Sequence, residues 1–286
     1  MENISIIKRI QDQFASMSKG QRAIAQYIQE NYDKAAFMTA HKLGEKAGVS
    51  ESTVVRFANL LGYSGYPKLQ KSLQEMIRNK LTSVQRIEMS SDMPQDEILW
   101  NVLKSDMINI RNTIEEIDAQ AFDQVVTAIL EANRVYVLGV RSAEPLAQFM
   151  VHYLNYIVEN VQLVTLGLND IYEHLIRLTK SDVCIGISFP RYSARTVEGM
   201  RYAREQNATV VAITDSNHSP LAEIADLTLL AKSDMVSFVD SLVAPLSVIN
   251  ALLVAAGNQR KDTATDYFSK LEDLWGLHSV YSLKDK

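Results

Sequence analysis

Five short apolar segments in the second half of the chain place the strongest constraint on its fold. They are RVYVLGV at 134–140, VQLVTL at 161–166, DVCIGISF at 182–189, ATVVAIT at 208–214 and DLTLLA at 226–231. Stretches with helical spacing, such as TVEGMRYAREQ at 196–206, separate them. Apolar strands that alternate with helices form a parallel sheet that is covered on both faces. We therefore expect a three-layer α/β/α domain whose ligand sites lie at the carboxyl ends of the strands.

Residues 1–78 have a different pattern, which predicts helices throughout. Ser18 and Gln21 have the spacing of a capping box at the start of a helix. Gly48 suits the left-handed end of a short helix, and Ser50 suits the start of the next one. The sequence GYSGYP at 62–67 then interrupts the helical pattern with glycine and proline.

A loss of periodicity over residues 79–96, NKLTSVQRIEMSSDMPQD, predicts a linker between these two parts. Helical spacing returns from residue 97, ahead of the first predicted strand. The fold class that we expect is α + α/β. It comprises an all-helical domain at 1–78, the linker at 79–96 and the parallel-sheet domain at 97–286.

Charge is distributed unevenly along the chain. Residues 1–80 contain 12 Lys and Arg against 7 Asp and Glu, whereas residues 81–286 contain 17 against 27. A basic first part on an acidic body suggests that the first part meets a polyanion. A few solvated lysines would give the same imbalance, so charge alone leaves the question open.

Residues 52–61 form a two-sided helix when they are placed at ~100° per residue. One side is apolar and carries Val54, Phe57, Ala58 and Leu61, while the other carries Ser52, Arg56 and Asn59 with Thr53 on its flank. In the major groove of DNA a guanidinium binds guanine, an amide binds adenine, and hydroxyls bind phosphates or base edges. With the preceding helix and the Gly48 turn, this helix predicts a helix-turn-helix that binds double-stranded DNA. A plain helical hairpin with a solvated polar face would show the same spacing.

The predicted DNA-binding residues are Lys42, Lys46, Ser50, Ser52, Thr53, Arg56 and Asn59. The lysines would meet phosphates, and contacts of that kind make the affinity depend on salt.

Small polar residues follow three of the predicted strands. Ser142 follows the first strand and Ser188 follows the third, and a further group lies at Thr214-Asp215-Ser216. Hydroxyls and free backbone N–H groups at helix N-termini form a cradle that suits phosphate. Helix capping alone would explain any single one of them. The predicted effector-binding residues are Ser142, Ser188, Arg191, Ser193 and Thr196.

The run AGVSESTVVRF at 47–57, followed by LGYSGY at 61–66, closely resembles the N-terminal domain of the RpiR/MurR-type bacterial transcription regulators. Residues 97–275 resemble the SIS (sugar isomerase) domain, which follows the helix-turn-helix in that family. This second resemblance includes ITDSNHSPLAEIADLTL at 213–229 and FVDSLVAPLSVINALL at 238–253.

The resemblance implies that loops after the first and third strands hold the phosphate of a phosphosugar. The first loop matches at Ser142, and the second matches at Ser188, Ser193 and Thr196. The usual second-loop pattern S-x-S-G-x-[ST] reads SFPRYS here, so Pro190 and Arg191 replace the central Ser and Gly. Pro190 has no N–H to donate, whereas Arg191 offers a bidentate phosphate contact.

Pairing through helices is also implied, giving a homodimer or homotetramer in which LVAPLSVINALLVAAG at 242–257 would line the contact. Two recognition helices would then bind the half-sites of a palindromic operator. We expect a transcriptional regulator of carbohydrate metabolism genes, a repressor, that is controlled by a phosphosugar-like effector.

The alternative is a phosphosugar isomerase with a helical N-terminal extension, because SIS domains also occur as isomerases. Glu144 or His174 would then supply the base, and Cys184 lies within an apolar strand as a core thiol would. The five histidines lack metal-ligand spacing and no dinucleotide fingerprint is present, so we expect no catalysis and no cofactor. A single cysteine and the lack of a ~20-residue apolar run predict a cytoplasmic protein without a membrane partner.

Overall fold

The structure, a computed structural model, describes residues 6–77, 82–90 and 93–281. The described chain separates into two compact units, Met1–Asp92 and Met93–Lys286. Hydrophobic side chains form separate buried clusters in the first unit and in the second. Within the described ranges, no helix combines the length and the apolar character that crossing a lipid bilayer requires.

The described part of the first unit contains helices and no strand. These are α1 Ile6–Gln13, α2 Lys19–Glu30, α3 Tyr32–Ala35, α4 Ala40–Ala47, α5 Glu51–Leu60, α6 Tyr66–Ile77 and α7 Ser83–Ser90, with a 3-10 turn at Phe14–Ser16. The predicted capping box at the start of α2 is confirmed, because Ser18 N–H donates to Gln21 Oε1 at 2.9 Å and Ser18 Oγ accepts from Gln21 N–H.

The turn between α4 and α5 depends on two glycines. Gly48 ends α4 with φ 67°, the left-handed conformation that the sequence predicts. A Cβ atom at Gly44 would lie 2.8 Å from the carbonyl oxygen of Val49, a distance that real Cβ atoms do not adopt. The Val49 N–H also donates to the Gly44 carbonyl at 2.8 Å. The two helices therefore approach closely, and this approach fixes the direction of α5.

The linker predicted at 79–96 differs from the structure in its middle, where α7 occupies Ser83–Ser90. Thr82 and Gln85 form a reciprocal cap, with Gln85 N–H donating to Thr82 Oγ1 and Thr82 N–H donating to Gln85 Oε1. The Gln85 side chain also donates to Asp33 at 3.3 Å, which ties α7 to the first unit. Residues 79–81 and 91–92 lie outside the described ranges, and the boundaries 1–78 and 97–286 stay predictions.

The described residues of the second unit form a five-stranded parallel sheet in the order β2-β1-β3-β4-β5. The strands are β1 Val135–Leu138, β2 Val161–Val164, β3 Val183–Ile187, β4 Thr209–Thr214 and β5 Leu227–Leu230. The helices are α8 Ile98–Glu116, α9 Ala119–Glu131, α10 Glu144–Leu154, α11 Ile171–Leu175, α12 Ala194–Glu205, α13 Val243–Gln259 and α14 Lys261–Leu277, with a 3-10 turn at Arg141–Ala143. All the predicted strands are therefore confirmed.

Helices cover both faces of this sheet. Val137 of β1 packs in one buried cluster with residues of α9, α10 and α13, such as Ile249. Its neighbours Tyr136 and Leu138 pack in the opposite cluster, with Met200 of α12. Alternate strand residues point to opposite faces, so the three-layer α/β/α arrangement that the sequence predicts is confirmed.

Most apolar side chains of α13 are buried in the unit's own core, among them Val248, Ile249 and Leu252. The stretch 242–257 therefore offers less free apolar surface than its sequence suggests. Helix α8 differs, because it exposes several large apolar side chains, among them Trp100 at 60% and Met107 at 69%.

Candidate functional site

Helix α5 separates polar and apolar side chains as the sequence predicts. Val54, Phe57 and Ala58 are completely buried in the core of the first unit. The polar face of α5, defined here as Ser52, Thr53, Arg56 and Asn59, points away from that core, with Thr53 partly buried and the others exposed. A helix that is held by one face and presents hydroxyl, guanidinium and amide groups on the other can lie in a DNA groove.

Ser50 begins α5, but its side chain does not cap the helix as predicted. Its Oγ lies 3.0 Å from Ser52 Oγ and 2.9 Å from Thr53 Oγ1 instead. These three hydroxyls gather at the N-terminus of a ten-residue helix, where backbone N–H groups and the helix dipole favour an anion.

The side chain of Arg56 lies along its own helix. Its Nε donates to the Ser52 carbonyl at 3.3 Å, and its Nη2 lies 3.5 Å from Ser52 Oγ. Exposed contacts of this length are weak. The guanidinium can therefore exchange them for a base edge at small cost.

Two predicted phosphate contacts, Lys42 and Lys46, are exposed on α4 beside the turn. Lys19, an exposed residue at the start of α2, is a further candidate that no sequence pattern indicates. A Cβ atom at the adjacent Gly20 would lie 3.5 Å from Thr53 Cγ2, which places this helix start beside that of α5. The capping box marks the start of α2 in the sequence, but no local signal places it next to α5.

In the second unit, a chain of hydrogen bonds joins three of the predicted effector residues. Ser188 is buried and its Oγ accepts from the Ser193 N–H at 3.1 Å. Ser193 caps the N-terminus of α12 by accepting from the Thr196 N–H at 3.5 Å. The hydroxyl of Thr196 is buried without a hydrogen-bond partner among the residues that the structure describes. An unsatisfied buried hydroxyl is rare in folded proteins, and a bound polar ligand is one explanation of it.

Ser142 follows β1, and β1 is the direct neighbour of β3 in the sheet. The first and second predicted effector loops therefore leave the same edge of the sheet side by side. Ser142 itself is exposed, and its hydroxyl donates to Asp240 at 2.9 Å.

Left-handed backbone conformations occur at two arginines in these loops, Arg141 with φ 59° and Arg191 with φ 69°. Arg191 stands where the SIS loop pattern has glycine, so this loop keeps a glycine-like backbone although the residue differs. Each such residue costs about 1–2 kcal/mol, and strain of this kind collects at ligand sites. Pro190 is buried beside it.

The group Thr214-Asp215-Ser216 holds the neighbouring loop instead of presenting free hydroxyls. Thr214 is buried, and Ser216 Oγ accepts from the His218 N–H at 3.1 Å within a turn. The Asp215 carboxylate accepts from the Tyr192 hydroxyl at 2.8 Å, which ties the loop after β3 to the end of β4.

The candidate base residues for an isomerase lie on different elements and contact neighbouring side chains. Glu144 accepts from Gln148 at 3.1 Å within α10. His174 Nδ1 lies 3.4 Å from Gln162 Nε2 of β2.

Cys184 is completely buried in β3, and this burial raises the pKa of its thiol to about 12. The thiolate is the reactive form, so the native chain should react with Ellman's reagent at least a hundredfold more slowly than the denatured chain. The absorbance of the thiol that the reagent releases measures the rate of the reaction. It is followed in buffer and in about 6 M guanidinium chloride, which denatures the chain. Fast reaction of the native chain would contradict this prediction.

Family comparisons agree with the geometry of both units. The model of the helix-turn-helix domain of the rpiR family matches residues 4–80. The model of the SIS domain matches residues 128–255. The chain belongs to the RpiR-type transcriptional regulators.

Curated relatives of this RpiR-type chain include other helix-turn-helix regulators. An uncharacterized HTH-type transcriptional regulator of Haemophilus influenzae is 29% identical over 230 residues, which are 79% of each chain. The regulator HexR of Escherichia coli is 25% identical over 254 residues, which are 87% of this chain and 86% of HexR.

Solved structures show the same fold. The sugar isomerase domain of the RpiR transcription factor from Sphaerobacter thermophilus has a TM-score of 0.60 and 29% identity, covering 62% of this chain and 99% of that domain. NanR of Vibrio vulnificus, complexed with ManNAc-6P, has a TM-score of 0.58 and 19% identity, covering 97% of this chain and all of NanR.

Proposed function

We propose that this RpiR-type chain represses carbohydrate metabolism genes by binding a palindromic operator, and that a phosphosugar in the SIS domain controls the binding. The two-sided helix α5 is the observation that carries the DNA-binding role. Its buried face leaves the helix little freedom to turn, so its polar face meets the DNA in a defined orientation.

The DNA contacts divide into two kinds. Arg56 and Asn59 have the side chains that read guanine and adenine in the major groove, so we assign sequence specificity to them. Lys42, Lys46 and the hydroxyls of Ser50, Ser52 and Thr53 are assigned to phosphates and to adjacent base edges. Phosphate contacts position the helix and contribute the salt-dependent part of the affinity.

The effector site is assigned to Ser142, Ser188, Arg191, Ser193 and Thr196 at the carboxyl edge of the sheet. The N-terminus of α12 supports this, because Ser193 and Thr196 lie in its first turn, where the helix dipole favours an anion. The unsatisfied hydroxyl of Thr196 supports it too. NanR, which has the same fold, is complexed with the phosphosugar ManNAc-6P.

Pairing of two chains is assigned to the exposed apolar side of α8, where Trp100 and Met107 lie. Large exposed apolar surfaces on soluble proteins commonly mark contacts between chains. A homodimer would carry two α5 helices to the two half-sites of one operator, and two dimers would form a homotetramer.

The test begins with selection of binding sequences from a random duplex library by the full chain. The affinity for the selected duplex is then measured with ManNAc-6P, other phosphosugars and the matching unphosphorylated sugars. A phosphosugar should change that affinity, and its unphosphorylated partner should not, because a ligand shifts DNA binding only if it prefers one state. Failure to select any sequence would contradict the DNA-binding role, and turnover of a phosphosugar would favour the isomerase.

Replacing Arg191 with glycine should lower the affinity for a bound phosphosugar about tenfold, because a charge-assisted contact to phosphate is lost. The same change should raise the free energy of unfolding by up to about 1 kcal/mol, because glycine adopts positive φ without strain. Calorimetric titration and chemical denaturation measure the two effects.

Arg191→Ala is the matched control for this change. It removes the charge but keeps a side chain in the left-handed conformation, so it should lose affinity without gaining stability. Equal stability of the two variants would contradict the assignment of strain to this position.

A further inference from the structure

The loop at 231–242, which joins β5 to α13, places a carboxylate against the first effector loop. Ser142 Oγ donates to Asp240 Oδ2 at 2.9 Å. A serine hydroxyl has one proton to donate. The bond to Asp240 therefore uses the donor that a phosphate oxygen would need from Ser142.

Both ends of this loop are fastened to α8. Near its start, the side chain of Asn109 donates to the Asp234 carbonyl at 2.8 Å and accepts from the Asp234 N–H at 3.1 Å. At its end, Ser241 Oγ donates to Asp106 Oδ1 at 2.6 Å. Asn109 is completely buried, so the first of these anchors is shielded from water.

The tip of the loop has little apolar packing, whereas Met235 and Val236 before it are half-buried. Phe238 is 54% exposed and Val239 is 65% exposed, although both are large apolar residues. Segments that bury little apolar surface open locally at low cost. The tip of the loop around Phe238 and Val239 can therefore move at low cost while the Asn109 anchor stays in place.

We propose that Asp240 is an internal competitor of the effector: its carboxylate accepts the hydrogen bond of the Ser142 hydroxyl and is displaced when a phosphate binds. This inference rests on the proposed phosphosugar site. The carboxylate and the phosphate are both anionic acceptors, so they compete for the same proton and repel each other at contact distance. Asp240 thereby sets the effector concentration at which the site fills.

Displacement of Asp240 also affects helix α8, through the neighbouring residue Ser241. Ser241 is the next residue along the chain, and its hydroxyl bond ends on Asp106 of α8. Movement of the carboxylate out of the site therefore acts directly on an anchor of α8. Helix α8 begins at Ile98, shortly after the boundary of the first unit at Asp92.

The test uses the full chain and its variants Asp240→Asn and Asp240→Ala, with inorganic phosphate and ManNAc-6P as probes in calorimetric titrations. Asp240→Ala removes both the charge and the acceptor, so it should bind inorganic phosphate about five- to tenfold more tightly than the unchanged chain. Asp240→Asn removes the charge but keeps an acceptor for Ser142, so its affinity should lie between the two.

Glu205→Gln is the matched control, because it removes one exposed carboxylate from the far end of α12 and should leave both affinities unchanged. Equal or weaker phosphate binding by Asp240→Ala would overturn the competitor role while leaving the effector site intact. If neither the unchanged chain nor any variant bound phosphate, ManNAc-6P or another phosphosugar, the proposed effector function itself would be wrong.

Discussion

Replacing Phe57 with alanine is expected to lower the free energy of unfolding of the first unit by about 3–5 kcal/mol. The Phe57 side chain is completely buried in the core that holds α5 against its neighbours. Its removal leaves a cavity that rigid helices fill only in part. Small domains are stable by about 5–15 kcal/mol, so this substitution removes a large part of the stability of the first unit. Operator binding in an assay at about 37 °C should therefore be lost or strongly reduced.

Hydrogen exchange of the α5 amides measures this loss of stability. Tryptophan fluorescence does not, because both tryptophans lie outside the first unit. Val55→Ala is the matched control, since Val55 is the neighbouring apolar residue on the exposed side of α5. It should change the protection of α5 by less than about 0.5 kcal/mol. Equal effects of the two substitutions would show that α5 is not held by its apolar face.

Replacing Arg56 with alanine is expected to weaken binding to the selected operator by about 1–3 kcal/mol, which is roughly 5- to 150-fold. The guanidinium is exposed, and its contacts with Ser52 are weak. Stability should therefore change by less than about 0.5 kcal/mol. Fluorescence anisotropy with the operator and with a scrambled duplex of the same composition measures the effect.

Lys42→Ala separates a base contact from a phosphate contact. If Lys42 contacts a phosphate, its removal should weaken binding to both duplexes by the same factor. The slope of log affinity against log salt concentration should also become smaller by about one. Loss of affinity on the operator alone is the result expected for Arg56. If Arg56→Ala weakened both duplexes equally, Arg56 would be a phosphate contact and specificity would have to come from Asn59 or the hydroxyls.

The strands and the two-sided helix could be predicted because their signals are local. An apolar run reports burial on both faces of a sheet, and the spacing of Val54, Phe57 and Ala58 reports one face of a helix. The left-handed turn at Gly48 is predictable for the same reason, since glycine is favoured where φ is positive.

Other features depend on partners that are distant in the chain. Asp240 lies 98 residues from Ser142, and no local pattern indicates that they meet. Ser50 is a favourable cap by residue type, but neighbouring hydroxyls engage its side chain instead. The start of helix α7 is predictable from the sequence, because Thr82 and Gln85 have the spacing of a capping box. The stretch around them otherwise lacks periodicity.

The left-handed arginines Arg141 and Arg191 have an evolutionary consequence. A library of variants that is selected only for heat resistance should accumulate glycine at these positions, because glycine relieves the backbone there. A library selected for a response to metabolite should keep Arg191, the arginine that is assigned to the effector site. The two selections should therefore diverge first at position 191, where a less stable backbone is retained for effector binding.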